Sequence, residues 1–260
     1  MKPNLQLVRE SFPERAAFGT AVSRAILLRV AAGELSDTVR LGRPGRIVAF
    51  GRQDKSSPGY ADAVRAAQAA GFAAVERLAG GRAAIYHEGT LHFSRSYADG
   101  RPGARTRARF EEMAGLTRDA LARLGVDARI GEVPGEYCPG AFSVNARGSS
   151  KLVGVGQRII AGGAHVGSVV VVSGAGLIRE VLEPVYAALG LDWDPASAGA
   201  VEDEVQGADL DRVEAALLEL LAERFELVEA DLDPQTLALA ERLEAEHRPR
   251  IEDGRETRLE

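Results

Sequence analysis

Apolar and polar residues recur with two different periods along this chain. Apolar residues at helical spacing predict four helices before residue 190. These helices cover residues 15–33, 59–70, 108–124 and 175–189. Alternation with a period of two predicts short strands. The strands cover residues 37–41, 46–50, 72–78, 82–86, 91–97, 141–146, 151–160 and 165–172.

The order of these segments indicates the fold class. Residues 82–86 and 91–97 lie close enough to predict a hairpin, and three strands follow one another between 141 and 172. Strands in hairpins with helices between them are typical of an α+β domain. We therefore expect a mostly antiparallel sheet with flanking helices.

The last quarter of the chain has a different pattern. Residues 209–247 predict two amphipathic helices, separated around residues 231–234. A chain of 260 residues is long enough for one large domain with a small appendage. We expect a main domain over residues 1–200 and a helical extension over residues 201–260 that packs on it. Its charged end, residues 248–260, is expected to fray.

Composition and charge exclude several classes of protein. The net charge of −6 argues against nucleic acid as a partner, because neutralising phosphates needs clustered cations. No apolar run approaches the ~20 residues of a membrane span, so we expect no membrane. Residues 1–18 carry both charge signs and no apolar signal region, so the cytoplasm is the expected location. A single cysteine excludes an intrachain disulfide, and histidine spacing predicts no metal site.

The candidate chemistry concentrates between Cys138 and residue 172. Cys138 is the only cysteine and lies in a loop rich in Pro and Gly, while Lys151 begins the strand KLVGVGQR. Gly154 and Gly156 share one face of that strand and leave it bare, which suits a flat or extended substrate. A lysine beside such a face can hold an anionic or polarised acyl group.

Three segments carry a recognisable pattern. Residues 75–94 read VERLAGGRAAIYHEGTLHFS, and residues 138–145 read CPGAFSVN. The third segment is KLVGVGQR followed by GGAHVGSVVVV. Together they resemble the lipoate-protein ligase and octanoyltransferase family, over roughly residues 15–190. The resemblance implies a biotin/lipoate protein ligase-like catalytic domain, whose fold is similar to that of class II aminoacyl-tRNA synthetases.

The resemblance also implies the roles of individual residues. Lys151 and Cys138 are expected to be catalytic, with Lys151 stabilising the oxygen charge and lowering the thiol pKa, and Cys138 acting as nucleophile. Cys138 could instead only line the pocket. The expected substrate-binding residues are Arg77, Gly80, Gly81, Arg82, His87, Ser143, Asn145, Gly154, Gly156, Gln157 and His165. The acyl tail is expected in an apolar tunnel lined by residues such as Ile85 and Val153.

Three departures from the family pattern matter. Glu88 replaces the usual Asp, and one extra residue stands between the glycines and His87, which affects the match of Arg82 to a family position. Only two helices are predicted after residue 200, so a further domain found in many ligases is expected to be absent or supplied by another chain.

The expected activity is transfer of an octanoyl or lipoyl group to a lysine of lipoyl domains, in 2-oxoacid dehydrogenase or glycine cleavage proteins. In the thioester route, acyl carrier protein donates the acyl group through Cys138 and no cofactor is needed. In the alternative route, ATP and Mg²⁺ activate free lipoate as an adenylate. A relative that binds lipoyl domains without chemistry remains a third possibility, and a biotin ligase would share the fold.

A run of arginines between residues 101 and 109 (RPGARTRAR) interrupts the acidic composition. Such a run is usually a solvated surface. Carrier and lipoyl domains are typically acidic, so the run is also a candidate docking patch for them.

Overall fold

The computed structural model describes residues 1–251 of the chain. Eleven strands in this part form one sheet of eight strands and one of three. The strands are β1 (Asn4–Val8), β2 (Thr38–Gly42), β3 (Ile47–Phe50), β4 (Ala73–Glu76), β5 (Ala84–Tyr86), β6 (Thr90–Ala98), β7 (Ala128–Ile130), β8 (Val144–Ala146), β9 (Ser150–Ile160), β10 (Gly163–Val171) and β11 (Glu226–Glu229). The α-helices are α1 (Ala16–Ala31), α2 (Arg52–Lys55), α3 (Tyr60–Ala69), α4 (Thr106–Arg123), α5 (Ala175–Leu189), α6 (Leu210–Arg224) and α7 (Pro234–Leu243).

The large sheet has the strand order β11-β1-β2-β6-β10-β9-β8-β7. Its strands are antiparallel except at one edge, where β1 runs parallel to both β2 and β11. The small sheet has the order β4-β3-β5, with β3 parallel to β4 and antiparallel to β5. The expected α+β fold with a mostly antiparallel sheet is confirmed, with parallel pairs added where the chain crosses over.

The predicted hairpin of residues 82–86 and 91–97 is wrong. β5 pairs with β3 in the small sheet, while β6 lies in the large sheet between β2 and β10. A tight turn separates the two strands: the His87 N–H donates to Thr90 Oγ1, and the Thr90 N–H and hydroxyl donate to the His87 carbonyl. This turn redirects the chain from one sheet to the other, so alternation alone could not show which strands pair.

Three of the strands, β1, β7 and β11, were not predicted at all. β1 and β11 are short, and three of the four residues of β11 are exposed. With only three to five residues each, these strands show too few alternations to be told from loops, and neighbouring strands supply their hydrogen bonds.

Helices cover both faces of the large sheet. α1 packs against β6 and β10 on one face, and α4 packs against β9 and β10 on the other. After residue 200, α6 contacts α4, β11 pairs with β1, and α7 contacts α1. We propose, as the sequence predicts, that this segment is an extension of the main domain. The predicted fraying of residues 248–260 falls mostly outside the described residues.

The two sheets meet where the site residues lie. The Gly-rich segment between β4 and β5 touches β9, and the Gly80 N–H donates to the Gln157 carbonyl at 3.3 Å. No helix within residues 1–251 is long and apolar enough to cross a membrane.

Candidate active site

Cys138 lies in the loop between β7 and β8 with a backbone that is unusual for a residue other than glycine. Its φ of 44° is left-handed, a conformation that costs of the order of 1–3 kcal/mol. Its N–H donates to the Tyr186 hydroxyl at 2.7 Å, and its carbonyl accepts from Lys151 Nζ at 2.7 Å. Hydrogen bonds on both sides of the residue therefore hold the strained backbone in place.

The thiol of Cys138 faces the Gly-rich segment. Its Sγ accepts a hydrogen bond from the Arg82 N–H at 3.3 Å and from Arg77 Nη1 at 3.6 Å. A side chain at Gly81 would place Cβ 2.9 Å from the sulfur, and the φ of 110° there also requires glycine. An N–H donor and a guanidinium therefore both contact the half-buried sulfur of Cys138.

Arg77 is positioned by the same segment. Its Nη1 also donates to the Arg82 carbonyl at 2.9 Å. Burial lowers the pKa of Arg77, but the neighbouring Cys138 and Tyr86 act in the opposite direction, and the pKa is raised overall. A guanidinium at this position therefore stays charged beside the sulfur.

Lys151 does not contact the thiol. Its ammonium is 1% exposed and donates to Glu136 Oε1 at 2.9 Å, to the Tyr137 carbonyl at 2.9 Å and to the Cys138 carbonyl at 2.7 Å. An ammonium has three N–H donors, so all three are engaged with the cysteine loop. The sequence predicted that Lys151 is the cation beside the thiol, but the structure places Arg77 there. Lys151 instead holds the backbone of the loop that carries Cys138.

Glu136 completes this arrangement and was not recognised from the sequence. Besides Lys151, its Oε1 accepts from the Gly140 N–H at 3.0 Å and the Ser143 hydroxyl at 2.6 Å. Its Oε2 accepts from the Val133 N–H at 3.0 Å. One buried carboxylate thus binds the loop at both of its ends. An acidic residue two positions before a lone cysteine does not by itself indicate a role in the site. The role of Glu136 is visible only in the folded structure, where it pairs with the buried Lys151.

Cys138 opens onto a pocket of about 400 Å³, a volume usual for small-molecule sites. Of the residues expected to bind substrate, seven line it: Arg77, Gly80, Gly81, Ser143, Gly154, Gly156 and Gln157. A Cβ at Gly156 would lie 2.8 Å from Arg77 Nη2 and 3.2 Å from the Gly80 carbonyl oxygen, so a side chain there would displace the guanidinium. The rings of Phe110 and Phe142, stacked at 5.0 Å, add an apolar wall.

Other expected site residues lie elsewhere. The Arg82 side chain pairs with Asp54, so only its backbone faces the sulfur. The His87 ring packs against Gly89 and Gly174 and lies outside the pocket lining. Asn145 holds a turn by accepting from the Gly148 N–H and donating to the Gly131 carbonyl.

The expected apolar tunnel is not formed by the residues named for it. Ile85 and Val153 are completely buried in two different hydrophobic clusters, and neither side chain lines the pocket beside Cys138. Their strands turn these side chains away from the pocket and into the core. The apolar lining instead comes from residues such as Phe110, Phe142 and Val169.

A second, smaller cavity of about 90 Å³ lies between α1 and the two sheets. His165 lines this cavity rather than the cysteine pocket, together with Arg40 and His92. Burial, assisted by the charge of Arg40, lowers the pKa of His165 to about 4. Arg77, Tyr86 and Gly167 line both cavities, so the two adjoin.

The arginine run divides between the surface and the site. Arg101, Arg105 and Arg107 are exposed, and Arg107 pairs with Glu111. Arg109 is buried: its Nη1 donates to Asp99 at 2.7 Å and its Nε to Gln157 Oε1 at 2.7 Å. Arg109 therefore positions a residue of the pocket, and only the other three form a surface patch.

The fold and this site place the protein in a known class. Residues 15–219 match the model of the lipoyl protein ligase A/B catalytic domain. The chain belongs to the lipoyl protein ligase A/B family.

Curated relatives are octanoyltransferases. The chain is 29% identical over 170 residues to an octanoyl-[GcvH]:protein N-octanoyltransferase of Geobacillus kaustophilus, covering 65% of this chain and 60% of the relative. It is 26% identical over 246 residues to the protein of that name in Bacillus velezensis, covering 92% and 80%. The match thus spans less than two thirds of the first relative's length.

Solved structures agree on the fold. A lipoate-protein ligase A bound with ATP is similar, with a TM-score of 0.74, 19% identity and coverage of 94% of this chain and 95% of the other. A bipartite lipoate protein ligase from Thermoplasma acidophilum, described with its E2 lipoyl domain, gives a TM-score of 0.72, 20% identity and coverage of 94% and 92%. These likenesses show that the fold is that of the lipoate-protein ligases.

Proposed function

We propose that this protein transfers an octanoyl or lipoyl group to a lysine of a lipoyl domain through a thioester on Cys138. The observation that carries the proposal is the thiol itself. It is the one sulfur nucleophile of the chain, lies at the wall of a 400 Å³ pocket, and contacts both a guanidinium and a backbone N–H. The relatives named as N-octanoyltransferases support the same reaction class.

The two half-reactions balance without a cofactor. The Cys138 thiol loses its proton and attacks the acyl carbonyl, so that the C–S bond to the enzyme forms, the bond between the carbonyl and the donor's leaving atom breaks, and the leaving atom takes up that proton. The neutral amine of the acceptor lysine then attacks the thioester, so that the amide forms, the C–S bond breaks, and the cysteine sulfur takes up the proton that the amine loses. The Arg82 N–H and Arg77 can stabilise the charge on sulfur at both stages.

The names of the relatives indicate one acyl donor, octanoyl-[GcvH]. With that donor, the leaving atom would be the nitrogen of the lysine that carries the octanoyl group. An acyl carrier protein thioester is the other donor we consider, and its thiol would leave instead. The acceptor would be a lipoyl domain of a 2-oxoacid dehydrogenase or glycine cleavage protein. A nucleophile that must stay reduced fits the cytoplasm.

The exposed arginines supply a docking surface for such partners. Arg101, Arg105 and Arg107 surround the first turn of α4, and Phe110 of the same helix lines the pocket. A local positive patch on an acidic protein would steer an acidic carrier domain to this mouth. Replacing the three arginines with Glu should slow transfer at low salt and leave the rate at high salt nearly unchanged. Equal salt dependence in both proteins would contradict this surface.

An ATP-dependent ligase is the second candidate. The likeness of the fold to a lipoate-protein ligase A bound with ATP favours it, and the Gly-rich segment could cradle phosphates. In that route ATP and Mg²⁺ would activate free lipoate, and Cys138 would only line the pocket.

Intact-mass measurement separates these functions. Wild-type protein is mixed with octanoyl-GcvH or octanoyl-acyl carrier protein without ATP, and an apo lipoyl domain is then added. The thioester route predicts an octanoyl adduct on Cys138 that moves to the acceptor. C138A should form no adduct and lose transfer by at least about 1000-fold.

The same assay identifies the alternatives. Modification that requires lipoate with Mg-ATP and persists in C138A would make the protein a ligase. Binding of the lipoyl domain without modification under either condition would indicate a relative that only binds.

A further inference from the structure

The pocket beside Cys138 carries a positive charge without a negative partner. Its lining contains two basic side chains, Arg77 and Lys151, and none of its lining residues within 1–251 is an aspartate, glutamate or histidine. Lys151 is compensated by Glu136, whose Oε1 lies 2.9 Å from Nζ and which does not itself line the pocket. Arg77 makes no ion pair with any residue that the structure describes, since its Nη1 donates to the Arg82 carbonyl and the Cys138 sulfur. One uncompensated guanidinium therefore faces the pocket.

The other titratable side chains of the lining, Cys138 apart, supply no negative charge at neutral pH. Burial raises the pKa of both Tyr86 and Tyr137, so both phenols stay uncharged. The walls formed by α4 and β10 are uncharged as well, because they contribute Phe110 and residues 167–169. The charge of the pocket is therefore set by Arg77.

The aromatic wall does not offset this charge. The rings of Phe110 and Phe142 stack on each other with centroids 5.0 Å apart and an angle of 11° between their planes. The Arg107 guanidinium lies 5.9 Å from the Phe142 ring, and Lys151 Nζ lies 4.9 Å from the Tyr137 ring. A cation–π contact with an incoming ammonium would have to compete with these existing contacts.

The acceptor lysine is charged when it approaches this pocket. An unperturbed lysine has a pKa of about 10.4, so at pH 7 it is an ammonium, whereas only the neutral amine can attack a thioester. The described lining holds no carboxylate or imidazole that could remove the proton, and the three N–H donors of Lys151 are engaged with the cysteine loop. Removal from water and the charge of Arg77 both favour the neutral amine over the ammonium.

We propose that the Cys138 pocket rejects cations and admits the acceptor lysine only as the neutral amine, so that its positive charge takes the place of a general base. The ammonium releases one proton to water before entry. The amine then forms the C–N bond, the C–S bond breaks, and the sulfur takes up the proton that the amine loses. This inference rests on the proposed function and specifies the reacting form of its acceptor. The net charge of −6 would attract cations, so the local and the overall charge predict opposite selectivities.

Thiol labelling tests the charge selection without any acyl transfer. Cys138 is the only cysteine, so two methanethiosulfonate reagents of similar length, one ending in a sulfonate and one in a trimethylammonium, react at this pocket alone. Rates are measured at about 0.5 M NaCl, which screens exposed arginines far more than the buried Arg77. The ratio of the two rates is divided by the same ratio for 2-mercaptoethanol, so changes in thiol reactivity cancel.

Wild type should favour the anionic reagent at least about tenfold after this correction. Equal rates, a preference for the cationic reagent, or labelling by neither reagent would overturn the proposal.

Two matched pairs of variants locate the charge. R77M should reduce the preference at least about threefold, whereas R77K keeps the charge and should stay within about twofold of wild type. Ala141 lines the pocket and is exposed, so A141D and A141N are compared at low salt. A141D should show a preference at least about threefold smaller than A141N, which has the same shape without the charge. An unchanged preference in R77M, or equal preferences in A141D and A141N, would contradict the proposal.

The pH dependence of the second half-reaction connects this selection to transfer. Protein carrying octanoyl-Cys138 is mixed with saturating apo lipoyl domain, so that the rate reports the pKa of the bound acceptor lysine. That pKa should lie at least about one unit below 10.4 in wild type and R77K. It should rise toward about 10.4 in R77M, because loss of a nearby cation favours the ammonium.

A pKa near 10.4 in wild type would overturn the inference. Charge-selective labelling without any acyl-enzyme would reject only the proposed function, whereas efficient transfer with unselective labelling would reject only this inference.

Discussion

Lys151 Nζ lies 2.7 Å from the carbonyl oxygen of Cys138, while the thiol of the same cysteine faces Arg77. The two cations thus act on opposite sides of one residue. Lys151 holds the backbone, and Arg77 holds the sulfur. This division is possible because the left-handed backbone of Cys138 turns its carbonyl toward the buried lysine and its side chain toward the Gly-rich segment.

The buried pair of Lys151 and Glu136 should be strongly coupled. K151M removes the charge and leaves a fully buried carboxylate without its cation, so the free energy of unfolding should fall by about 3–5 kcal/mol. The double variant K151M/E136Q should lose clearly less than the sum of the two single losses, because neither charge is then left alone. Urea unfolding of the four proteins measures both quantities. Additive losses, or a K151M loss below about 1 kcal/mol, would show that the pair is not coupled.

Arg77 should control the reactivity of the cysteine. R77M removes the guanidinium beside Sγ, so alkylation of Cys138 by iodoacetamide at pH 7 should slow by about tenfold. R77K should fall between R77M and wild type, because it keeps a charge but loses the fork geometry. R82M is the matched control: it keeps the backbone N–H that contacts the sulfur and should alkylate at nearly the wild-type rate. Equal slowing in R77M and R82M would contradict a specific role for Arg77.

Tyr186 should act on the cysteine loop without touching substrate. Its hydroxyl accepts from the Cys138 N–H and donates to the Ala83 carbonyl at 2.9 Å. Y186F leaves both groups unpaired, so stability should fall by about 1–3 kcal/mol and acyl transfer by about tenfold. Y60F is the control, since the Tyr60 hydroxyl contacts Glu76 outside the pocket lining. The test compares the acyl-transfer rates of Y186F and Y60F under conditions in which the same fraction of each protein is folded.

His165 should contribute to acid sensitivity. Its pKa is about 4 in the folded protein and near 6.5 in the unfolded chain, so between these values the unfolded state binds the additional proton. Stability is therefore fully present above about pH 6.5 and falls as the pH is lowered toward 4, by up to about 3 kcal/mol. H165N should reduce the fall in the free energy of unfolding between about pH 6.5 and pH 4. The pKa values of His87, His92 and His247 are lowered as well, so some slope should remain. An identical slope in wild type and H165N would refute the contribution of His165.

The elements that periodicity predicted are mostly those of the structure. α1, α3, α4 and α5 lie within a few residues of their predicted bounds, as do the long strands β9 and β10. Their sequences alternate or repeat strongly because each buries one defined face. The pairing of β5 with β3 and the short strands β1, β7 and β11 depend on partners elsewhere in the chain, so local patterns could not predict them.

The sequence by itself determined the fold class, the family and the segments that form the site, because motif order and hydrophobic period are local properties of the chain. The tertiary structure alone decided which atoms meet there. It placed Arg77 rather than Lys151 at the sulfur, brought Glu136 and Tyr186 to the cysteine loop, and directed His165 into a separate cavity. These choices depend on side-chain directions and on contacts between segments far apart in the chain, such as Tyr186 with Cys138. No spacing along the sequence specifies such distances.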